Sequence, residues 1–216
     1  MEWGLLDGVP PDQVRELLQV ARRRRFARNE VVFHRDDPGD SVHLVQSGRF
    51  AVRVATALGD MTTIAIRGPG ESFGEMALVA EHPRRSATVA ALEDAETMSV
   101  YKVDFDHVRA RHPSVDRILL RFLTNEVRVL NERLLEALYV PVEKRVRRRL
   151  VELAALYGGG ERAVVRLTQE TIAELAGATR PTVNQVLRDE EKRGTIELGR
   201  GRIDVIDVAD IARRGR

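Results

Sequence analysis

"LTQETIAELAGATRPTVNQVLRDEEKRG", residues 167–194, holds two short apolar-periodic runs on either side of one glycine. Ile172, Leu175 and Ala176 give the first run an apolar face, Gly177 allows a tight turn, and Thr179 is placed to cap the second run. Pro181 falls in the first turn of that second helix, where a missing N–H costs nothing, and Val183, Val186 and Leu187 face inward. The pattern predicts a helix-turn-helix. In such a unit the start of the second helix enters the major groove of double-stranded DNA. That makes Arg180, Thr182, Asn184, Gln185 and Arg188 the outward candidates, with Thr168, Gln169 and Thr179 at the two helix starts. An arginine can hold guanine through two bonds, and asparagine or glutamine can do the same for adenine, each worth about 1–3 kcal/mol of discrimination.

Downstream, "GTIELGRGRIDVID", residues 194–207, alternates on both sides of Gly199-Arg200-Gly201-Arg202 and reads as a hairpin with a basic tip. It is the wing of a winged helix, whose Arg200 and Arg202 would touch phosphate or the minor groove and give salt-sensitive affinity. The competing reading is a helix pair unrelated to DNA with an incidental hairpin. Basic runs at Arg22 to Arg25, at "KRVRRR" (144–149) and at "GRGR" (199–202) stand out against a net charge of only +2, and they favour nucleic acid. The bland alternative for any one run is a solvated helix face.

Upstream, Val142 to about Tyr157 reads as a helix, Gly158-Gly159-Gly160 as a break and "AVVRL" (163–167) as a short strand. Pro141 interrupts the helical pattern before them and marks a hinge. Before that proline, Leu120, Leu123, Val127, Leu130, Leu134 and Ala137 recur at alternating three- and four-residue steps, as in a coiled-coil seam. One helix with this seam, plus Ile118, Leu119 and Phe122, can bury one face on its own domain and the seam on a twin, so a homodimer is expected. An intramolecular core helix is the alternative. From Glu30 to about Val103, short alternating runs ("EVVFHR", "SVHLVQ", "RFAVRVAT", "MTTIAIRG", "RSATVAAL", "ETMSVYKV") punctuated by turn-formers predict an antiparallel barrel or jelly roll, preceded by a helix over Pro11 to Ala21. The expected fold is α+β: a β jelly roll over residues 1–112, a dimerisation helix and hinge over 113–140, and a winged helix-turn-helix over 141–216.

Within the jelly roll, "GEMALVAEHPRRSATV", residues 74–89, sets Glu75 ten residues ahead of Arg85 and Ser86. A glycine-led loop running into a short helix aims N–H groups at one point, and an arginine returning from the next strand adds a fixed charge, which makes a phosphate cradle. A carboxylate there cannot favour phosphate, so Glu75 is expected to accept from a sugar hydroxyl. Together they imply a nucleotide with a ribose and few charges.

The chain has 216 residues, 43% apolar and 31% charged, enough for one large or two small domains. No apolar run approaches a spanning helix, and the N-terminus carries an acid where a signal peptide needs bases, so a cytoplasmic protein without membrane contact is expected. The absence of cysteine excludes disulfides, thiolate-held iron–sulfur clusters and cysteine zinc sites, and no metal is expected.

On these residues the sequence resembles the CRP/FNR transcription regulators, over nearly the whole chain. Their cassette reads Phe-Gly-Glu and then, after a short stretch, Arg-Ser-Ala or Pro-Arg-Ala-Ala; here stand Phe73-Gly74-Glu75-Met76-Ala77-Leu78 and Pro83-Arg84-Arg85-Ser86-Ala87. The resemblance implies that Gly74 and Glu75 bind the ribose hydroxyl and Arg85 with Ser86 the cyclic phosphate. The doubled arginine leaves Arg84 and Arg85 as alternatives, the ten-residue spacing favouring Arg85. It also implies cAMP as first effector, a palindromic operator and RNA polymerase as a partner. Two departures follow. Where cAMP-responsive members carry an arginine near the cassette glutamate and then Thr-Ser reaching the adenine across the dimer, this chain has Glu126, Leu130 and Asn131, of which only Asn131 offers a donor and an acceptor to a base. Pro181 and Gln185 likewise replace residues of the family's common recognition helix, so a different half-site is expected. Another cyclic nucleotide, or an effector-independent regulator controlled by its own abundance, stays open. An enzyme is the competing class, but neither Ser99-Val100-Tyr101-Lys102 nor the scattered histidines have a partner constellation, so no catalysis is expected; haem-based gas sensing, known elsewhere in the family, would need an axial histidine that no spacing singles out.

Overall fold

The computed structural model describes residues 3–56, 59–80, 82–112, 114–158 and 160–216. Glu2, Glu81 of the cassette stretch, Pro113 and Gly159 of the expected break lie outside them. The chain divides into two units, residues 1–129 and 130–216.

The first unit opens on a helical turn and α1 (Pro11–Val20), then β1 (Arg22–Phe26), β2 (Val31–Phe33), β3 (Ser41–Ser47), β4 (Phe50–Ala55), β5 (Met61–Arg67) and β6 (Ser72–Phe73). A single 3-10 turn over Glu75–Leu78 leads to β7 (Thr88–Ala91), β8 (Ala95–Tyr101), α2 (Lys102–Arg111) and the long α3 (Ser114–Tyr139). Two antiparallel four-stranded sheets form, in the orders β1-β8-β3-β6 and β2-β7-β4-β5. Phe26, Val45, Phe50, Phe73 and Val89 come from both sheets into one core, the arrangement of a jelly roll. A second core gathers Leu5, Leu6, Leu17, Leu44, Phe105 and Leu119. Trp3 is buried there, its indole Nε1 donating to the Val45 carbonyl at 2.9 Å.

The structure departs from three local expectations. The arginine run at 22–25 is an edge strand, in which Arg23 and Arg25 both bond Glu96 on β8 and Arg22 lies over the Tyr101 ring. The run "ETMSVYKV" ends as a strand at Tyr101, because α2 begins at Lys102. Leu123 of the seam is half-buried against the first unit's core, whereas Leu120, Val127, Leu130 and Leu134 are exposed.

The second unit takes in the end of α3, then α4 (Val142–Tyr157), β9 (Ala163–Val165), α5 (Gln169–Ala176), α6 (Arg180–Lys192), β10 (Ile196–Gly199), β11 (Arg202–Val205) and α7 (Val208–Gly215). Pro141 is the N-cap of α4, so α3 stops just before it. The strands form a sheet in the order β10-β11-β9. Helix α7 was not expected from the sequence; Asp207 caps it by accepting from the Asp210 N–H at 2.8 Å, and Ile211 is fully buried. Among the described residues no helix is long and apolar enough to cross a membrane.

Candidate functional site

The cassette begins where β6 runs out. Gly74 sits at φ 81°, and a Cβ there would lie 2.6 Å from Arg85 Nη1 and 3.1 Å from the Ser41 carbonyl, so a side chain is opposed by both backbone and space. Arg85 occupies the room so left and is only 5% exposed. Its Nη1 donates to Ser41 O at 2.7 Å, its Nη2 to Ser41 Oγ at 3.0 Å and to Asp40 at 3.3 Å, and its face lies 4.0 Å from the centre of the Phe33 ring. Its Nε is buried with no hydrogen-bond partner among the described residues. Burial disfavours the cation, and Asp40, Asp37 and Glu75 oppose that pull. Behind it His43 stacks on Phe73 at 5.0 Å; burial, with Arg85 and Arg24 nearby, pushes its pKa down to about 3, so the imidazole is a neutral backing.

A cleft opens beside this guanidinium, with Phe33, Val52, Phe73 and Val89 as apolar walls. Gly74, Glu75, Met76, Ala77, Arg84, Arg85 and Ser86 also line it, and Arg67 closes one side. The two adjacent arginines take different roles: Arg85 is buried, whereas Arg84 is exposed and donates to the Asp36 carbonyl at 2.8 Å. Ser86 and Met76 are exposed, and Ala77 is buried. Asn131 is an exposed residue of α3 and is not among the lining residues. Burial pushes the Glu75 carboxyl above the usual carboxylate range, its own N–H and Arg67 oppose this, and Glu126 reinforces it.

Asp40, Ser41 and Arg67 escaped the sequence reading. They lie on other strands or turns, and no local spacing marks them. Glu126, at the place where cAMP-responsive members carry an arginine, is itself held by an arginine, since Arg67 Nη2 donates to it at 2.9 Å.

The second candidate surface is α5 and α6. Thr168 and Thr179 cap the two helices, accepting from the N–H groups of Thr171 and Thr182 at 3.2 and 3.4 Å. Gly177, at φ 57°, makes the turn between them. Val183, Val186 and Leu187 are buried, so α6 turns Arg180, Gln185 and Arg188 to solvent, with Thr182 and Asn184 half-buried beside them. Gln185 donates to Asp189 at 3.1 Å and Arg188 to Asn184 at 3.2 Å, while Arg180 makes no hydrogen bond or ion pair among the described residues. Gln169 is half-buried and Thr168 exposed. At the tip of the β10–β11 hairpin Arg200 is exposed and Arg202 pairs with Asp204 at 3.3 Å.

The basic run at 144–149 corrects an expectation, because its arginines bond inward. Arg147 and Arg214 hold Glu190, which is fully buried on α6, and Arg148 and Arg149 hold Glu136. Arg145 donates to the carbonyls of Ala137, Ala176 and Gly177 at 2.9, 3.0 and 2.9 Å, tying the end of α3 to the turn of the helix-turn-helix. Burial pushes the Glu190 carboxyl up, but bonds from Arg214, Arg147 and Thr195 outweigh it and hold it below the usual range.

Of the residues considered for catalysis, Ser99 is buried in β8 and Lys102 Nζ donates to the Leu78 carbonyl at 3.1 Å. Among the described residues no cluster of His, Asp or Glu could hold a metal.

Two family domains match the chain, one over each of these regions. The cyclic nucleotide-binding domain family matches residues 23–112 and the Crp-like helix-turn-helix domain family residues 144–214. The chain is 32% identical to the CRP-like cAMP-activated global transcriptional regulator of Mycobacterium tuberculosis over 99% of its length and 96% of that protein's. It is 31% identical to the cyclic AMP receptor protein of Thermus thermophilus, over 95% of this chain and 93% of the relative. Its fold matches the solved structure of FixK2 from Bradyrhizobium japonicum with a TM-score of 0.79 at 19% identity, covering 90% of this chain and 96% of that one. With a cyclic nucleotide-binding domain followed by a Crp-like helix-turn-helix, the chain belongs to the CRP/FNR family of transcription regulators.

Proposed function

We propose that this regulator binds its operator under the control of a cyclic nucleotide, cAMP first, held in the cleft beside Arg85. The observation that carries the reading is the buried Arg85 Nε, a charged donor without a partner among the described residues, on the wall of a cleft that also presents Glu75 and Ser86. An anionic phosphate satisfies that donor, and the half-buried Glu75 accepts from a ribose hydroxyl. The exposed leucines along α3 favour a homodimer, which brings Asn131 of the partner subunit to the base and sets two α6 helices on a palindromic operator. RNA polymerase is the partner the family resemblance supplies.

Calorimetry with cAMP and cGMP on the wild type and Arg85→Ala tests the reading. The expected outcome is measurable wild-type binding that weakens by about 100-fold in the variant, the worth of a few charge-assisted bonds. Equal affinity in both proteins would sink it. A second reading, control by abundance alone, is favoured by the apolar Leu130 at a place where a base-reading hydroxyl is expected. It predicts DNA affinity unchanged by either nucleotide.

A further inference from the structure

Arg67 ends β5 at the wall of the cleft, where two carboxylates bond it and a third, Glu75, also lines the cleft. Its Nη2 donates to Glu126 Oε2 on α3 at 2.9 Å, and its Nη1 reaches Glu71 Oε1 at 3.3 Å. Glu71 is itself fixed, because its other oxygen accepts from the Gly68 N–H at 2.7 Å. Glu75, in the cassette, shares the field of Arg67 and of Glu126. The Arg67 and Glu126 side chains are 23% and 26% exposed, so the pair is partly shielded from water and more than a surface contact. One end of this pair lines the cleft and the other sits on the helix that carries the exposed leucines. The family resemblance implies a helix cation facing the cassette glutamate. Here the cation stands on the strand and the anion on the helix.

We propose that the Arg67–Glu126 ion pair carries occupancy of the cleft to the long helix, with Arg67 as a positioning residue for the response. The inference rests on the cyclic-nucleotide reading. Arg67 bonds Glu126 and Glu71 and also feels the charge on Glu75. A ribose hydroxyl that donates to Glu75 satisfies that carboxylate and leaves Arg67 to Glu126, which seats α3 more firmly against the first unit. By linkage, whatever conformation of α3 favours the pair also binds the nucleotide more tightly. A lysine cannot replace Arg67, because the two nitrogens of one planar fork serve Glu126 and Glu71 separately.

The test is a double-mutant cycle on the full chain: wild type, Arg67→Gln, Glu126→Gln and the double variant. Nucleotide affinity is read by calorimetry. DNA affinity is read with and without saturating cAMP or cGMP, at fixed salt, on a fragment selected from a random pool by the wild-type protein. The expected result is that Glu126→Gln melts within a few degrees of the wild type yet loses about tenfold of the nucleotide-dependent gain in DNA affinity, a typical coupling between sites. The double variant should lose no more than the worse single one, because the two residues act through one contact. A wild-type gain in Glu126→Gln, or losses that add in the double variant, would overturn the inference. A wild-type protein that binds neither nucleotide would instead sink the cyclic-nucleotide reading and this inference with it.

Discussion

On α6 the outward side chains are set by neighbours within four residues: Thr179 caps through Thr182, Gln185 leans on Asp189 and Arg188 on Asn184. In the cleft the corresponding distances along the chain are long, for Arg85 is placed by Asp40 and Ser41 and Arg67 by Glu126. A surface that reads DNA can be assembled from one short segment because its ligand is outside and large. A cleft that encloses a small anion needs charges from several segments, each held at least in part by a remote partner.

The sharpest way to break this contrast is Glu190, a long-range hub inside the otherwise local DNA-binding unit. Glu190→Ala leaves Arg147 and Arg214 facing each other without their carboxylate and should cost the second unit roughly 3–5 kcal/mol, read by denaturant unfolding. The folded carboxyl titrates below its unfolded value, so its contribution is present above about pH 4.3 and is lost as pH falls through the folded pKa. The stability gap between wild type and Glu190→Gln should therefore narrow below about pH 4. A gap that widens on acidification would refute the assignment.

Two glycines with positive φ sharpen the contrast. Gly74→Ala puts a methyl 2.6 Å from Arg85 Nη1 and should cost about 1–3 kcal/mol in backbone strain alone, with nucleotide affinity falling as Arg85 is displaced. Gly177→Ala meets nothing nearer than Arg145 Nη2 at 4.0 Å, so only the left-handed backbone opposes it, at about 1 kcal/mol. Comparable melting and nucleotide titration curves for the two variants would dissolve the distinction.

The change that leaves stability untouched belongs on the DNA face. Arg180→Ala should relax sequence preference by about 1–3 kcal/mol at one position while leaving non-specific affinity nearly intact. An unchanged selection profile would place base readout elsewhere on α6.

What was legible in the sequence follows the same line. The caps, the turn glycine, the buried face of α6 and the hairpin all rest on spacings of two to four residues, and the structure has them where the pattern put them. The cassette was legible as a motif, because Gly74 and Arg85 depend on one another for space. Its wider frame was not. Arg67 looked like the end of one more alternating strand, and the arginines at 147–149 looked like a DNA-facing patch because their partners, Glu136 and Glu190, are distant or in a different helix. The run at 22–25 hid a strand, since nothing in four consecutive arginines alternates, although pairing with Glu96 on β8 makes it one.

Trp3 is the one tryptophan of the chain, and it is held inside the first unit by its bond to Val45. The molecule thus carries its own optical label on one side only: indole emission follows the melting of the jelly roll, while circular dichroism, dominated by helices of both units, follows the whole. Any separation between the two curves measures how independently the sensing half and the DNA-binding half come apart.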